Sequence, residues 1–102
     1  MIHVLAFITA KPGRRDDILA AFRDNMAAVQ AEAGCLGYEP VVDARAAGAG
    51  FATFGPDTFV VIEKWASMEA LQAHGAAPHM KAYAARVRDL TANRAIHVLE
   101  PA

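Results

Sequence analysis

The chain has 102 residues with a formal net charge of −1, and 55% of them are hydrophobic against 21% charged. This length allows one domain, residues 1–102, and excludes a large cofactor-binding fold, while the interspersed charge argues against nucleic acid or an anionic membrane as a partner. The hydrophobic fraction exceeds what one small core needs, so a second apolar surface must be covered. Cys35 has no partner for an internal disulfide, and the apolar start of the chain is too short for a signal peptide, so we expect a cytoplasmic protein.

A strand and an amphipathic helix are predicted first. Residues Ile2 to Ala10 are rich in β-branched and aromatic side chains. Both the odd and the even positions are mostly apolar, which predicts a strand buried on both faces. The acidic pair Asp16 and Asp17 favours a helix start, and Gly34 is expected to end that helix in a left-handed conformation. Apolar residues at helical spacing form the stripe that packs on the sheet, and Glu32 falls on the opposite, polar side.

The middle of the chain predicts an edge strand and a long loop. Residues 36–42 have a strand pattern, but Pro40 cannot donate to a ladder and therefore indicates a sheet edge or a bulge. Residues 43–55 are mostly alanine and glycine, with Phe51 and Phe54 as the large apolar exceptions. This segment is long for a hairpin connection and is expected to be a mobile loop.

The second half of the chain repeats the order strand, helix, strand. Residues 58–65 have the strongest strand pattern and are expected at the centre of the sheet. Residues 67–74 predict a helix that Gly75 and Pro78 interrupt, after which a further helical stretch follows. The chain closes with a predicted strand over residues 94–100.

This order of elements predicts an α+β domain of the ferredoxin-like β-α-β-β-α-β kind. Right-handed crossovers give a four-stranded antiparallel sheet in spatial order 4-1-3-2, with the helices on one face. The first and third strands are apolar on both faces. In an isolated subunit about five large apolar side chains would therefore stay exposed to water, and each would lose roughly 1.5 to 3 kcal/mol of stabilisation by burial. A twofold homodimer with its sheets face to face covers them and makes a dimeric α+β barrel; the alternative is a monomer with an apolar surface.

Short segments along the chain carry a resemblance to a known family: Lys11-Pro12-Gly13, Gly34 to Glu39, Glu63 to Ser67, Glu69 to Leu71, and His74 with Pro78-His79. In order and spacing they resemble the antibiotic biosynthesis monooxygenase family, of the small quinol monooxygenase type. The resemblance implies a dimeric α+β barrel in a family that includes cofactor-free oxygenases of quinols and anthrones, haem-degrading enzymes and an isomerase of a signalling sugar phosphate. The long loop at residues 43–55 departs from the short hairpin usual in that family.

Cofactor-free oxygenation, which the resemblance implies, predicts a small aromatic quinol or phenol and O2 as partners and no bound cofactor. The protein must then supply a dry pocket for the ring, a base that titrates near neutrality, and hydrogen-bond donors. His74 and His79 are the candidate bases, and Trp65 is the candidate aromatic wall of the catalytic site. The pocket is expected to be lined further by Phe59, Val61, Glu63, Met80 and Tyr83.

Each candidate also has a purely structural interpretation. Trp65 can be a core residue at the end of a central strand, His74 can cap the end of its helix, and His79 can order the interrupted helix. Glu63 on a buried strand face needs a partner, which is either a structural arginine or lysine or a catalytic imidazole. Cys35 is expected to be a packing residue and not a nucleophile.

Metal, haem and nucleotide chemistry are not predicted. His3 and His97 lie in matching Ile-His-Val contexts, but two histidines without a third ligand are expected to be edge or interface residues. The sequence has no glycine-rich phosphate loop and no flavin or nicotinamide fingerprint. Haem degradation, by the resemblance, requires an asparagine on the first strand where this chain has Ala6. The remaining alternative is a non-catalytic module that holds a hydrophobic metabolite in the same pocket.

Overall fold

The computed structural model describes residues 1–102 as four antiparallel strands with helices packed on one face of the sheet. The strands are β1 (Ile2–Ala10), β2 (Cys35–Val41), β3 (Thr58–Trp65) and β4 (Thr91–Leu99). The helices are α1 (Arg15–Gln30), α2 (Met68–Ala76) and α3 (Pro78–Val87), followed by a 3-10 turn over Arg88–Leu90. None of the helices combines the length and the hydrophobicity that crossing a bilayer requires. The sheet order is β2-β3-β1-β4, which confirms the predicted strand order and the ferredoxin-like fold.

The pairing of β1 with β3 sorts their side chains onto two faces. Val4 pairs with Glu63 and Ala6 with Val61, and all four are buried on the side that the helices cover. Successive side chains of a strand point to opposite faces, so the alternating residues form an uncovered surface, called the open face below. The open face carries Leu5, Phe7 and Ile62, and Val60 on the same face is buried.

Phe22 of α1 is at the centre of the core. Its ring stacks on Tyr38 with centroids 4.9 Å apart, and it meets Phe59 and Tyr83 edge-on at 6.0 Å. Such aromatic pairs contribute about 0.5–1.5 kcal/mol beyond the area they bury. The apolar stripe predicted for the first helix is buried together with Phe22 at Ile18, Leu19 and Val29.

The first helix ends earlier than predicted. α1 closes at Gln30 with Ala31 as a right-handed cap, whereas Gly34 lies in the turn before β2. Gly34 has a φ of +82°, and a Cβ added there would stand 2.6 Å from the Cβ of Ala70. Its carbonyl accepts a hydrogen bond from the Ala66 N–H at 2.8 Å. The left-handed glycine is therefore present, but it serves the close approach of this turn to α2 and not the end of α1.

The helical region after β3 is interrupted at Pro78, as predicted, but not at Gly75. Gly75 lies inside α2, and the break falls at Ala77, whose backbone is extended with φ −65° and ψ 139°. A residue before proline is pushed out of the helical region, and Pro78 then begins α3. β4 begins at Thr91 and not at Arg94, because the end of β1 already pairs with Thr91.

The long loop before β3 is fixed at its base. Residues 42–57 contain turns but neither helix nor strand. The Asp43 carboxylate accepts hydrogen bonds from the N–H groups of Phe54 at 3.0 Å and Gly55 at 2.8 Å, and these bonds hold the pKa of Asp43 below its ordinary value. The Phe54 ring lies 5.5 Å from that of Phe7 on the open face. The predicted mobility therefore concerns the residues between Asp43 and Phe54, and it stays a prediction.

Candidate active site

A cavity of about 440 Å³ lies between the helix-covered face of the sheet and the helices α2 and α3. Its floor comes from β1 and β3 and its roof from the two helices, with side chains that include Val4, Ala6, Val61, Leu71, Met80 and Tyr83. Most of its lining is hydrophobic, which is the composition of a site for a small apolar ligand. On β4, Ile96 and Val98 line it while staying 49% and 47% exposed, so the cavity is open on that side.

His74, in the last turn of α2, forms part of the cavity wall. It is 6% exposed, and its ring lies 4.6 Å from that of Trp65 and edge-on to Tyr38 at 5.6 Å. Its Nδ1–H donates a hydrogen bond to Glu32 Oε2 at 2.9 Å. Because an ionised carboxylate only accepts, this bond places a proton on Nδ1, and in the neutral ring Nε2 keeps its lone pair. The side chain is thus engaged by Glu32 and not by the carbonyls at the end of α2.

Glu32 connects the two candidate histidines. Its Oε2 accepts a second hydrogen bond from the Nε2–H of His79 at 3.1 Å, and its side chain is only 14% exposed. The expectation that Glu32 lies on the polar side of the first helix was wrong, because α1 ends at Gln30 and helical spacing no longer places the residues that follow. The signal that could have found it is an acidic residue just before the glycine turn at Gly34, which packs on α2.

Glu63 is the second buried carboxylate at the cavity. It is 7% exposed, and its Oε1 accepts a hydrogen bond from the Trp65 indole Nε1–H at 2.9 Å. Neither of the two partners considered for it, a structural cation or an imidazole, hydrogen-bonds to Glu63, and the indole takes that place. Burial raises the pKa of Glu63 above its ordinary value, while the indole N–H and the neighbouring His74 act to lower it.

The cavity brings together some of the predicted site residues and leaves others outside. Phe59 and Trp65 are fully buried in the core, and Trp65 reaches the site only through its contacts with His74 and Glu63. His79 does not line the cavity, and its hydrogen bond joins it to the site from outside. Beside His74, the predicted residues that do line the cavity are Val61, Glu63, Met80 and Tyr83.

Tyr38 of β2 is a cavity residue that the sequence analysis did not assign. It stacks on Phe22, meets His74 edge-on and is 6% exposed. Burial raises the pKa of its hydroxyl far above the ordinary value, with the charge of Glu63 adding to the effect. Tyr38 therefore stays protonated near neutrality and can donate a hydrogen bond into the cavity. Its strand parity, which places it opposite Glu63, is the signal that could have found it.

The remaining reactive side chains lie away from the cavity. Cys35 is half-buried, and burial raises the pKa of its thiol, which disfavours a nucleophilic thiolate. His3 pairs with residues of β3 and β4 near a sheet end, and His97 packs edge-on against Phe7 of the open face at 5.5 Å. No group of three or more histidine, cysteine or acidic side chains is arranged to hold a metal ion.

The fold and the cavity together define a small α+β protein in which a carboxylate orients an imidazole against an apolar chamber. Residues 1–86 match the family described as antibiotic biosynthesis monooxygenase, and the chain belongs to this family. Family membership confirms the resemblance found in the sequence and supports a monooxygenase.

Relatives with names and structures agree with this assignment. The chain is 41% identical over 103 residues to the protein named Probable quinol monooxygenase YgiN of Escherichia coli strain K12, and the alignment covers 99% of this chain and 98% of that one. The crystal structure of PA3566 from Pseudomonas aeruginosa superposes with a TM-score of 0.82 at 28% identity, covering 99% and 93% of the two chains. Rv0793 from Mycobacterium tuberculosis superposes with a TM-score of 0.80 at 26% identity, covering 99% and 94%.

Proposed function

We propose that the protein is a cofactor-independent monooxygenase that uses dioxygen on a small aromatic quinol-like or phenol-like substrate. The observation that carries this proposal is the His74 ring, held by Glu32 at the wall of an apolar cavity large enough for one or two fused rings. The relative YgiN, whose name is Probable quinol monooxygenase, supports the same substrate class. The sequence also lacks a flavin or nicotinamide fingerprint.

His74 acts in this proposal as the general base. Glu32 holds the proton on Nδ1, so Nε2 is free to take the proton of a substrate hydroxyl. A positioned base of this kind accelerates proton transfer by typically about 10² to 10⁴. His79 acts through Glu32, because its N–H donates to the same carboxylate oxygen and holds it in place.

The oxygen step needs electrons only from the substrate. The deprotonated ring gives electrons to dioxygen, carbon and oxygen join to form a peroxide at a ring carbon that bears hydrogen, and the peroxide takes up a proton. Loss of that ring hydrogen as a proton and cleavage of the O–O bond then release water and leave a new carbonyl on the ring. One oxygen atom thus stays in the product and the other leaves as water, with the substrate oxidised by four electrons.

The cavity supplies the surroundings for this chemistry. The apolar lining excludes water from the ring, and the protonated hydroxyl of Tyr38 can donate to the oxyanion that develops. Trp65 holds Glu63 and supports one side of His74 from within the core. Ala6 on the cavity floor has no polar side-chain atom, which disfavours the haem-degrading alternative.

Oxygen uptake with reduced naphthoquinones and metal-stripped protein tests the proposal. We expect consumption of O2 without release of hydrogen peroxide, and with ¹⁸O₂ one labelled atom in the product and one in water. His74→Gln is expected to lower turnover by about a hundredfold, since it removes the base. His3→Gln is the matched control, because His3 lies on β1 away from the cavity. Wild-type protein that binds these rings tightly but consumes no O2 with any of them would be a binding module instead.

Glu32→Gln separates orientation of the base from the structural integrity of the site. An amide can turn its NH₂ toward Nδ1 and so favour the wrong tautomer, and we expect kcat to fall roughly tenfold with little change in KM. The pH profile of kcat should shift as well, and ¹⁵N chemical shifts of His74 report the tautomer directly. Glu69→Gln, on the exposed face of α2, is the control and should leave all three readouts unchanged. An unchanged tautomer and pH profile in Glu32→Gln would contradict the orienting role.

A further inference from the structure

We propose that the cavity takes aromatic rings that carry an anionic substituent, with Arg94 and Lys81 binding that anion at the cavity mouth. The inference deepens the proposed function by naming the substrate class, and it rests on that function only for the statement that the bound ring is turned over.

Arg94 and Lys81 approach the cavity from its two walls. Arg94 pairs with Ile8, which places it on the helix-covered side of β4 together with Ile96 and Val98. Lys81 lies on α3, on the roof, and both cations line the cavity. They also line an open groove of about 720 Å³ that adjoins the cavity between α3 and β4. The mouth of the cavity thus lies between a cation on the sheet and a cation on a helix.

The charge at this mouth is not neutralised. Neither Arg94 nor Lys81 has a carboxylate within 4.0 Å, and no acidic residue lines the adjoining groove. Arg88 on the same groove faces only Asp89 at 3.8 Å, and both of these side chains are largely exposed. The single acid that lines the cavity is Glu63. The cavity mouth therefore carries an excess of positive charge, although the whole chain has a net charge of −1.

The strand register separates Glu63, the neighbour of His74, from Arg94 along the sheet. Glu63 pairs with Val4 and Val4 with Val98, so these three residues form one row across the sheet. Arg94 lies four residues before Val98 on β4, which is about 13 Å along the strand at about 3.3 Å per residue. A fused aromatic ring with a hydroxyl at one end and an anion at the other spans such a distance, given the length of an arginine side chain.

The donors at the mouth suit a carboxylate. An arginine guanidinium can bind it through two parallel N–H bonds, and a lysine adds a compact positive charge. Tyr83 lies beside them, and burial raises the pKa of its hydroxyl to about 12, against the lowering effect of Arg94. The Tyr83 hydroxyl is therefore protonated near neutrality and available as a further donor.

Anaerobic calorimetry with 2-naphthol and 6-hydroxy-2-naphthoate tests this inference without turnover. The two probes share the ring and the hydroxyl and differ by a carboxylate at the far end. We expect the wild-type protein to bind the carboxylate probe roughly fivefold or more tightly than the neutral one, and addition of salt to about 0.5 M to reduce that preference. Arg94→Gln and Lys81→Gln should each weaken binding of the carboxylate probe by roughly fivefold and leave binding of 2-naphthol unchanged.

Arg23→Gln and Lys11→Gln are the matched controls, because both side chains are exposed and neither lines the cavity or the groove. Equal affinity of the wild-type protein for the two probes would overturn the inference. So would a loss of affinity for both probes in Arg94→Gln and Lys81→Gln, since that would indicate a change of cavity shape and not of charge. A preserved carboxylate preference in protein that consumes no O2 would support the charged site while refuting the proposed function.

Discussion

Glu63 places a carboxylate at a buried position where a neutral side chain would give a more stable folded protein. It is 7% exposed, its only hydrogen bond comes from the Trp65 indole, and burial raises its pKa above the ordinary value of 4.5. An acid whose pKa is raised by folding binds more protons in the native state than in the unfolded state. The free energy of unfolding therefore falls as the pH rises from 4.5 through the folded pKa. A cost of this kind is typical of a functional site.

Glu63→Gln is expected to stabilise the protein near neutral pH, because the amide oxygen can still accept the Trp65 N–H and no charge is buried. The gain should shrink as the pH falls through the raised pKa and vanish well below 4.5, where the wild-type carboxyl is protonated in both states. Urea unfolding at several pH values measures this difference. Glu69→Gln, exposed on α2 and away from the open face, serves as the control and should leave the free energy of unfolding nearly unchanged. A stabilisation that is the same at low and neutral pH would show that charge is not the cause.

Only those site residues that a local sequence pattern places were predictable from the sequence. Strand parity placed Glu63 and Val61 together on the buried face, and the spacing around Pro78 singled out His74. Glu32 could not be found in the same way, because its partner His74 is 42 residues away and the contact depends on how a turn meets a helix. The same limit applies to Arg94, whose position at the cavity mouth follows from strand pairing across the sheet.

At the scale of elements, the strands follow their hydrophobic patterns and the helix ends do not. β1 and β3 have the predicted bounds, because a buried sheet fixes which parity faces the core. The end of α1 and the break between α2 and α3 depend instead on packing of the turn at Gly34 and on the restriction that Pro78 places on Ala77. A tertiary contact therefore fixes the turn after α1, and a local backbone restriction before proline fixes the break between α2 and α3.

The turn at Gly34 gives a test of that contact. An alanine there would need a left-handed backbone and would bring its Cβ within 2.6 Å of the Ala70 Cβ, so Gly34→Ala should lower the free energy of unfolding by about 1–3 kcal/mol. Gly75→Ala is the matched substitution in α2, where nothing lies within 4 Å of the added Cβ, and it should raise stability by about 0.4–1 kcal/mol. Chemical denaturation measures both. Equal effects of the two substitutions would contradict the close approach of the turn to α2.

At the scale of the whole molecule, the two faces of the sheet differ in what covers them. The helices and the cavity occupy one face, and on the other the Phe54 ring packs against Phe7 of β1. The open face extends across Leu5, Phe7 and Ile62 and continues to Leu99 on β4, which is 44% exposed. Contiguous apolar surface of this kind marks an interaction site in a soluble protein. We therefore propose that a second copy of the chain covers it, in the face-to-face homodimer that the sequence pattern predicts.

The homodimer is testable because two similarly exposed apolar residues lie on opposite sides of the molecule. Ile62 on the open face is 36% exposed and Met68 at the start of α2 is 39% exposed, so a lysine at either position can reach solvent in an isolated subunit. In a face-to-face dimer only the Ile62 position is enclosed, and an unpaired buried charge there costs several kcal/mol. Light scattering should therefore give twice the chain mass of 10.9 kDa for the wild type and for Met68→Lys, and the mass of one chain for a folded Ile62→Lys. A wild-type protein with the mass of one chain, or an Ile62→Lys variant that still assembles, would refute this interface.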